Sequence, residues 1–326
     1  MNAPPVSVCA RCRSAIEPGD LRCPVCYLAI PAQASPTAAP VRVSVFRCAS
    51  CGAAVQYSVR AQAPQCAFCG GGTLKLEEQS DPAEQTQRYL PFTVDRARAA
   101  ASYRQWISRQ GFFRPFNLAS TARLESLKAI WWVGWLVDAD ALLTWTADTN
   151  VGAERSSWAP HSGELHDRFS QLVIPASRGL SFEECLSVSQ TCALDGPGKP
   201  PGEGEGDITN ERFDMPRSAA RARITGAIQR LAEVRVFSQQ LSRARVRNFH
   251  SAVLLRGLLT RRVAFPAYVL AYRHGRQLYR TVISGQDPNC VVGQAPRSYA
   301  KLVLVILLVI TLALLLFGAR MLTASK

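Results

Sequence analysis

Eight of the chain's eleven cysteines fall within the first 69 residues, and they fall in pairs. Cys9-Ala-Arg-Cys12 is followed by Cys23-Pro-Val-Cys26, and Cys48-Ala-Ser-Cys51 by Cys66-Ala-Phe-Cys69. A Cys-x-x-Cys turn aims two thiolates at one point, and backbone N–H groups in the turn stabilise the sulfur charge. Two such turns supply the four-sulfur tetrahedron that zinc prefers. The expected ligands are Cys9, Cys12, Cys23 and Cys26 at one site and Cys48, Cys51, Cys66 and Cys69 at a second, for two zinc ions. The same pairs admit disulfides or an iron–sulfur centre. Sequential pairing puts one ion in each unit. A cross-braced arrangement would join the first pair to the third, and the proline-rich stretch between the units argues against it. With all four coordination positions filled by protein, the sites read as structural, with metal binding coupled to folding. Gly52 and Gly70 each follow the second cysteine of a pair, a place that suits a positive φ.

The first residues, Met1 to Ser7, show no basic region followed by an apolar stretch, so no secretory signal is expected. Paired cysteines without export read as metal ligands in a reducing compartment.

The elements that must carry these sites read as an α+β protein. The expected order is two N-terminal zinc ribbons, an α+β body with antiparallel β-hairpins, and one C-terminal transmembrane helix. By composition the ribbons occupy 1–30 and 43–76. A Pro/Ala linker lies at 31–42 and a polar linker at 77–90. The body covers 91–293, with a Gly/Pro-rich loop at 195–207. Thr93 or Asp95 can cap a helix running to about Gln110, with Tyr103, Trp106 and Ile107 on one face. Ile130–Val137 reads as a buried strand closed by Asp138 and Asp140, with Ala141–Thr146 continuing the pairing. A helix is predicted from Arg217 to about Arg247 on an apolar stripe of Ala220, Ile224, Ala227, Ile228, Leu231 and Val234. Val263–Arg273 and Arg276–Ile283 form a hairpin around His274-Gly275, with a short strand following at Cys290–Val292. Ile130–Ala139 and Val263–Tyr272 are both aromatic-rich strands behind helical patterns, which suggests an internal repeat.

From Leu302 to Ala319 the residues are apolar except Thr311, 18 in a row, or roughly 27 Å of helix. Six residues follow Arg320, so the segment reads as a tail anchor in the inner (cytoplasmic) membrane, single-pass, with the bulk of the chain cytoplasmic. Basic residues flank both ends, so the charge rule for orientation decides little. The net charge is +14, and residues 217–262 hold eleven arginines against one acid, Glu233. Candidate contacts to an anionic surface are Arg217, Arg221, Arg223, Arg243, Arg245, Arg247, Arg261 and Arg262. They suit anionic lipid headgroups or a nucleic-acid backbone, beside the plain reading as a solvated helix face.

No catalytic residue is identified. The four histidines lack metalloprotease spacing, and there is no phosphate-binding loop, nucleophile elbow or dinucleotide fingerprint. Glu183-Glu184 reads as a solvated pair. Trp131, Trp132, Trp135 and Trp145 read as core, with a ligand pocket as the other use. The functional expectation is an interaction or scaffold module whose ribbons engage a protein partner at a membrane. One alternative is a membrane-tethered nucleic-acid binder; another is an enzyme of unknown type in the body. No small-molecule substrate is identified.

The motifs in order are Phe46-Arg-Cys-Ala-Ser-Cys-Gly52, Leu90-Pro-Phe-Thr-Val-Asp95, the aromatic strand ending in Asp138-Ala139-Asp140, Ile174-Pro-Ala-Ser177, and Ala271-Tyr-Arg-His-Gly-Arg276 followed by Tyr279 and Gly285-Gln286. In this order the chain resembles a family of bacterial zinc-ribbon membrane proteins of unassigned function. Some relatives are labelled after a primosomal helicase or an RNA polymerase subunit on the ribbon alone. The resemblance implies ribbons, an α+β body and membrane helices. The loop around Gly196–Gly206 and the pair Arg261-Arg262 depart from that pattern.

Overall fold

A computed structural model describes residues 7–17, 20–31, 43–56, 65–79, 85–151, 158–176, 178–196, 198, 208–213 and 217–324. The first ribbon holds β1 (Ser7–Val8) and β2 (Ala15–Ile16); the second holds β3 (Val43–Cys48), β4 (Ala54–Gln56) and β5 (Leu74–Gln79). The body follows with β6 (Arg88–Tyr89), α1 (Arg96–Ser108), α2 (Leu118–Thr121), β7 (Arg123–Thr149) and β8 (Ala159–Pro175). Next come α3 (Phe182–Ser189), β9 (Thr209–Glu211), α4 (Arg217–Gln239), β10 (Val246–His274), β11 (Gln277–Ser284) and β12 (Val291–Gly293), and α5 (Tyr299–Ala324) ends the described chain.

Two very long strands form the spine. β7 and β10 run antiparallel from the pair Arg123 and Arg273 to the pair Thr149 and Val246. They are the two aromatic strands that looked alike in sequence, and they are direct neighbours. Each is preceded by a helix and followed by a strand that pairs with its second half, β8 on β7 and β11 on β10. The apolar stretch Ile130–Val137 is buried on both sides, so it shows no alternation. Beyond it Ala139, Ala141, Leu143, Trp145 and Ala147 are buried, while the residues between them face outward.

Asp138 and Asp140 therefore do not close the strand. Asp138 stands at a bulge, where its carboxylate accepts from Gln171 N at 2.9 Å and from Arg261 at 2.5 Å. Gln171 takes a φ of 56°, the left-handed conformation that lets β8 absorb an extra residue.

The spine is covered on both faces. On one face α4 packs through Ala220, Ile224, Ile228, Ala232 and Val236 onto Trp135, Leu143 and Trp145. On the same face, at the other end, α1 packs through Ala99, Tyr103 and Ile107 onto Tyr268, Leu270 and Tyr272. The opposite face carries Trp132, Phe265, Ala267 and Val269, covered by the second ribbon and by α3. The four tryptophans of the sequence reading thus enter the core from both sides, Trp132 on one face and Trp131, Trp135 and Trp145 on the other.

Several boundaries differ from expectation, each for a local reason. Asp95 is the cap of α1, its Oδ1 accepting from Arg98 N at 2.7 Å. α4 stops at Gln239, because the chain then turns into β10, where Arg245 N finds the Asn150 side chain and Val246 pairs with Thr149. Its buried stripe is the i, i+4 series named above, and Leu231 and Val234 are exposed. The hairpin loop is Gly275-Arg276, with Gly275 at φ 60°. The polar stretch 77–90 is not a linker throughout: β6 pairs with Val263 and Ala264, and Leu90 is fully buried. Residues 32–42 and most of 195–207 lie outside the described residues.

The membrane span expected over 302–319 falls on α5, a helix of 26 residues. Among the described residues no helix is long and apolar enough to cross a membrane. The described side chains of α5 end at Leu314, short of the 18-residue run read from sequence.

One polar knot locks α3, β11 and the second ribbon together. Ser181 and Glu184 form a capping box on α3, so the expected solvated acid pair is split: Glu183 is exposed and Glu184 is buried. Arg280 binds both Glu184 carboxylate oxygens and donates to the carbonyls of Gly179 (2.9 Å) and Phe68 (3.4 Å). Arg280→Ala leaves a buried carboxylate and two carbonyls without their donor. It is expected to cost about 2–4 kcal/mol and to lower the melting temperature by roughly 5–10 °C in circular dichroism. Arg280→Lys recovers only part, because one ammonium cannot span both groups.

Candidate metal centre

Each cysteine pair forms the same short turn. The residue after the second cysteine donates its N–H back to the first cysteine's carbonyl: Arg13 to Cys9 (2.9 Å), Tyr27 to Cys23 (3.1 Å), Gly52 to Cys48 (2.9 Å) and Gly70 to Cys66 (2.9 Å). All four of these residues have positive φ, between 58° and 77°. Glycine meets that demand freely in the second ribbon, while the first places Arg13 and Tyr27 there, in a conformation that disfavours a side chain. The shared spacing after each pair carries this demand at all four turns, and only Gly52 and Gly70 signal it by residue type.

The turns bring the thiols together as the sequence predicts, first pair with second and third with fourth. Sγ–Sγ distances are 3.5 Å for Cys9–Cys26, Cys12–Cys23 and Cys48–Cys69, and 3.6 Å for Cys51–Cys66. Within each quartet all four sulfurs lie within 4.8 Å of one another. Sulfurs placed about 2.3 Å from a central ion at tetrahedral corners stand about 3.8 Å apart, so the spacing fits a dication. It does not fit disulfides, and all eight cysteines are unbridged.

Charge points the same way. Cys12 is held down to about 6 by the Ser14 hydroxyl and N–H, and Cys66 to about 5 chiefly by the Cys51 thiol beside it. Burial pushes Cys23 up to about 12 and Cys69 up to about 11, and Cys66 pushes Cys51 up. Four sulfurs this close cannot all ionise on their own, and a central cation removes that conflict.

The two centres are seated differently. The second ribbon is part of the body sheet: β4 pairs with β9, and β9 pairs with β7 at Ile130 and Trp131. Cys48, Cys66, Ala53, Val55 and Phe68 belong to the same buried cluster as Trp132 and Phe265. Gly179 packs so tightly on Phe68 that a Cβ there would overlap the ring.

The first ribbon keeps its own two-stranded sheet and is held by polar contacts. Asp20 takes the Arg221 guanidinium on both oxygens at 2.8 and 2.9 Å. Glu17 binds the Thr260 hydroxyl and sits 3.6 Å from Arg262, and the Ser14 hydroxyl donates to the Arg256 carbonyl. Glu17 and Asp20 are the only acids in residues 1–30, which was the sign available in sequence that this unit docks on arginines.

These contacts reassign half of the arginines expected to face an anionic surface. Arg221, Arg261 and Arg262 turn inward to Asp20, Asp138 and Glu17. Arg247 pairs with Asp148 at 3.3 Å and lies over the Trp158 ring. Arg223, Arg243 and Arg245 are exposed, and the Arg217 side chain lies outside the described residues.

No family model, curated protein or solved structure matches the chain.

The other cysteines provide an internal reporter. Burial pushes Cys192 up to about 12 and Cys185 higher still, so both stay thiols at pH 8. Both lie in the cluster shared with the second ribbon. Alkylation of the native protein should therefore spare them. Under a chelator, Cys9, Cys12, Cys23 and Cys26 should label first. The second quartet should then label in the same phase as Cys185 and Cys192, which peptide mass mapping resolves in time.

Proposed function

We propose that both quartets hold structural zinc and that the chain is a membrane-anchored zinc-ribbon scaffold that presents a protein-binding surface on the cytoplasmic side. The observation that carries the metal assignment is the pair of four-sulfur clusters with tetrahedral spacing and no position left for substrate. Zinc is favoured over harder cations by an all-thiolate donor set. A purely structural ion leaves the ribbon surfaces and the body for recognition, which favours a scaffold.

Support for the anchor comes from the sequence run 302–319 and from α5, whose described side chains from Leu302 to Thr311 are exposed almost throughout, as is Leu314. In water such a helix gains nothing from its leucines; in a bilayer it does. The resemblance to zinc-ribbon membrane proteins agrees with this reading. The nucleic-acid alternative is weakened, since four of its eight arginines are bound to carboxylates of the chain itself.

Elemental analysis of the purified chain should find two zinc per molecule, and carbonate-washed membranes should retain it while a chain ending at residue 300 is released. Metal-free protein with unbridged thiols would overturn the zinc assignment. Release of the full chain by carbonate would overturn the anchor.

A further inference from the structure

Three phenylalanines stand in the open beside the root of α5. In Gly111-Phe-Phe-Arg-Pro-Phe116 the exposures are 58% for Phe112, 46% for Phe113 and 90% for Phe116. Large apolar groups clustered this way on a surface mark a contact. The loop is fixed to the root of the helix by several bonds. Ser298 N donates to Phe113 O at 2.8 Å, and Lys301 Nζ donates to the carbonyls of Phe112 (2.9 Å) and Arg114 (2.7 Å). Arg114 in turn donates to the carbonyls of Ala295 and Pro296. The Lys301 ammonium also lies 3.2 Å from the centre of the Phe116 ring and 5.1 Å from that of Phe112. The loop and the first turn of α5 therefore form one unit.

We propose that this loop is a second membrane contact, inserting Phe112, Phe113 and Phe116 into the interface of the bilayer beside the point where α5 enters it. The inference rests on the anchor reading above. Continuity selects lipid over a protein partner, because the aromatic patch runs directly into the exposed leucines and valines that begin at Leu302. The surrounding chemistry fits a phospholipid interface. Tyr299 is 74% exposed, and the exposed Arg297 lines a groove of about 460 Å³ between loop and helix, a cation placed for phosphate oxygens. Two attachment points would hold the body at a fixed tilt on the membrane, where a single helix would let it swing.

The test replaces Phe116 with benzoylphenylalanine in the full chain, reconstituted in vesicles of phosphatidylglycerol and phosphatidylethanolamine. Phe116 is 90% exposed and benzoylphenylalanine keeps the ring that faces Lys301, so the exchange spares the fold. The same photoprobe at Leu254, an exposed sheet position, is the control. The expected result is about tenfold more phospholipid adduct at 116 than at 254. Equal adduct at both positions, or adduct to protein alone at 116, in chain that still floats with the vesicles, overturns the second contact and leaves the anchor standing. Chain that fails to float with the vesicles overturns both.

Discussion

Replacing Cys48 and Cys51 together with serine is expected to unfold the body, while the same exchange at Cys9 and Cys12 leaves it folded. The sites are chemically alike, so the difference must come from what each one is joined to. Zinc bound to a structural four-cysteine site is worth about 10–16 kcal/mol, as much as the whole stability of an ordinary domain, about 5–15 kcal/mol. In the second ribbon that energy is coupled to the body. Val55 and Gln56 continue the sheet through Glu211 and Asn210 to β7, and Phe68, Ala53 and Val55 cover Trp132. Without the metal this cover has no fold of its own, since a segment of its size cannot build a core. The face it leaves bare carries Trp132, Phe265, Ala267 and Val269. The first ribbon meets the body through Glu17, Asp20, Ser14 and Val25; these contacts are largely shielded from water, but the ribbon adds no strand to the body sheet, so its loss opens Arg221 and Arg262 to solvent instead of baring an apolar face. Far-ultraviolet circular dichroism and thermal melting of the two double variants decide the matter. A cooperative, unshifted melt for Cys48→Ser/Cys51→Ser would show that the ribbon merely leans on the body.

The metal quartets were legible because thiolate chemistry is local: four turns of one kind, in order, determine their own partners. The hairpin at Gly275 and the cap at Asp95 were legible for the same reason. The length of the spine was not. Asp138 and Asp140 look like stops in a linear reading, yet one serves a bulge and pairs with Arg261, and the other lies on an open face. The arginines misled for a related reason. Their partners Asp20, Asp138 and Glu17 lie 123 to 245 residues away in the chain, and no local pattern announces a pair at that distance. The stripe of α4 was legible through Ala220, Ile224 and Ile228 and failed beyond them, because Leu231 and Val234 are apolar but exposed, while the small Ala232, with Val236, takes the buried positions.

Trp132→Ala is expected to weaken the body and the second metal site together. The indole is fully buried and stacks on Phe265, its direct cross-strand neighbour, at 4.4 Å and 15°. Removing a buried tryptophan costs about 3–5 kcal/mol, and this one also gives up a ring pair worth about 0.5–1.5 kcal/mol. Melting should fall by roughly 10 °C or more. The indole N–H has no partner among the described residues, so Trp132→Phe, which keeps a ring, should lose much less. Because Phe68 and Cys66 pack in the same cluster, stability lost there is lost to metal binding as well. Linkage converts each 1.4 kcal/mol so transmitted into about a tenfold lower zinc affinity. Trp145→Ala is the contrasting case. Trp145 is buried on the other face against α4, stacked more loosely on Phe249 at 6.2 Å and bonded to Gln240, so its loss should destabilise the body without moving zinc affinity. Competition titration with a chromophoric chelator on the two variants separates these effects. Equal zinc affinity in both would mean that the sheet insulates the metal site from the core, against the shared packing described here.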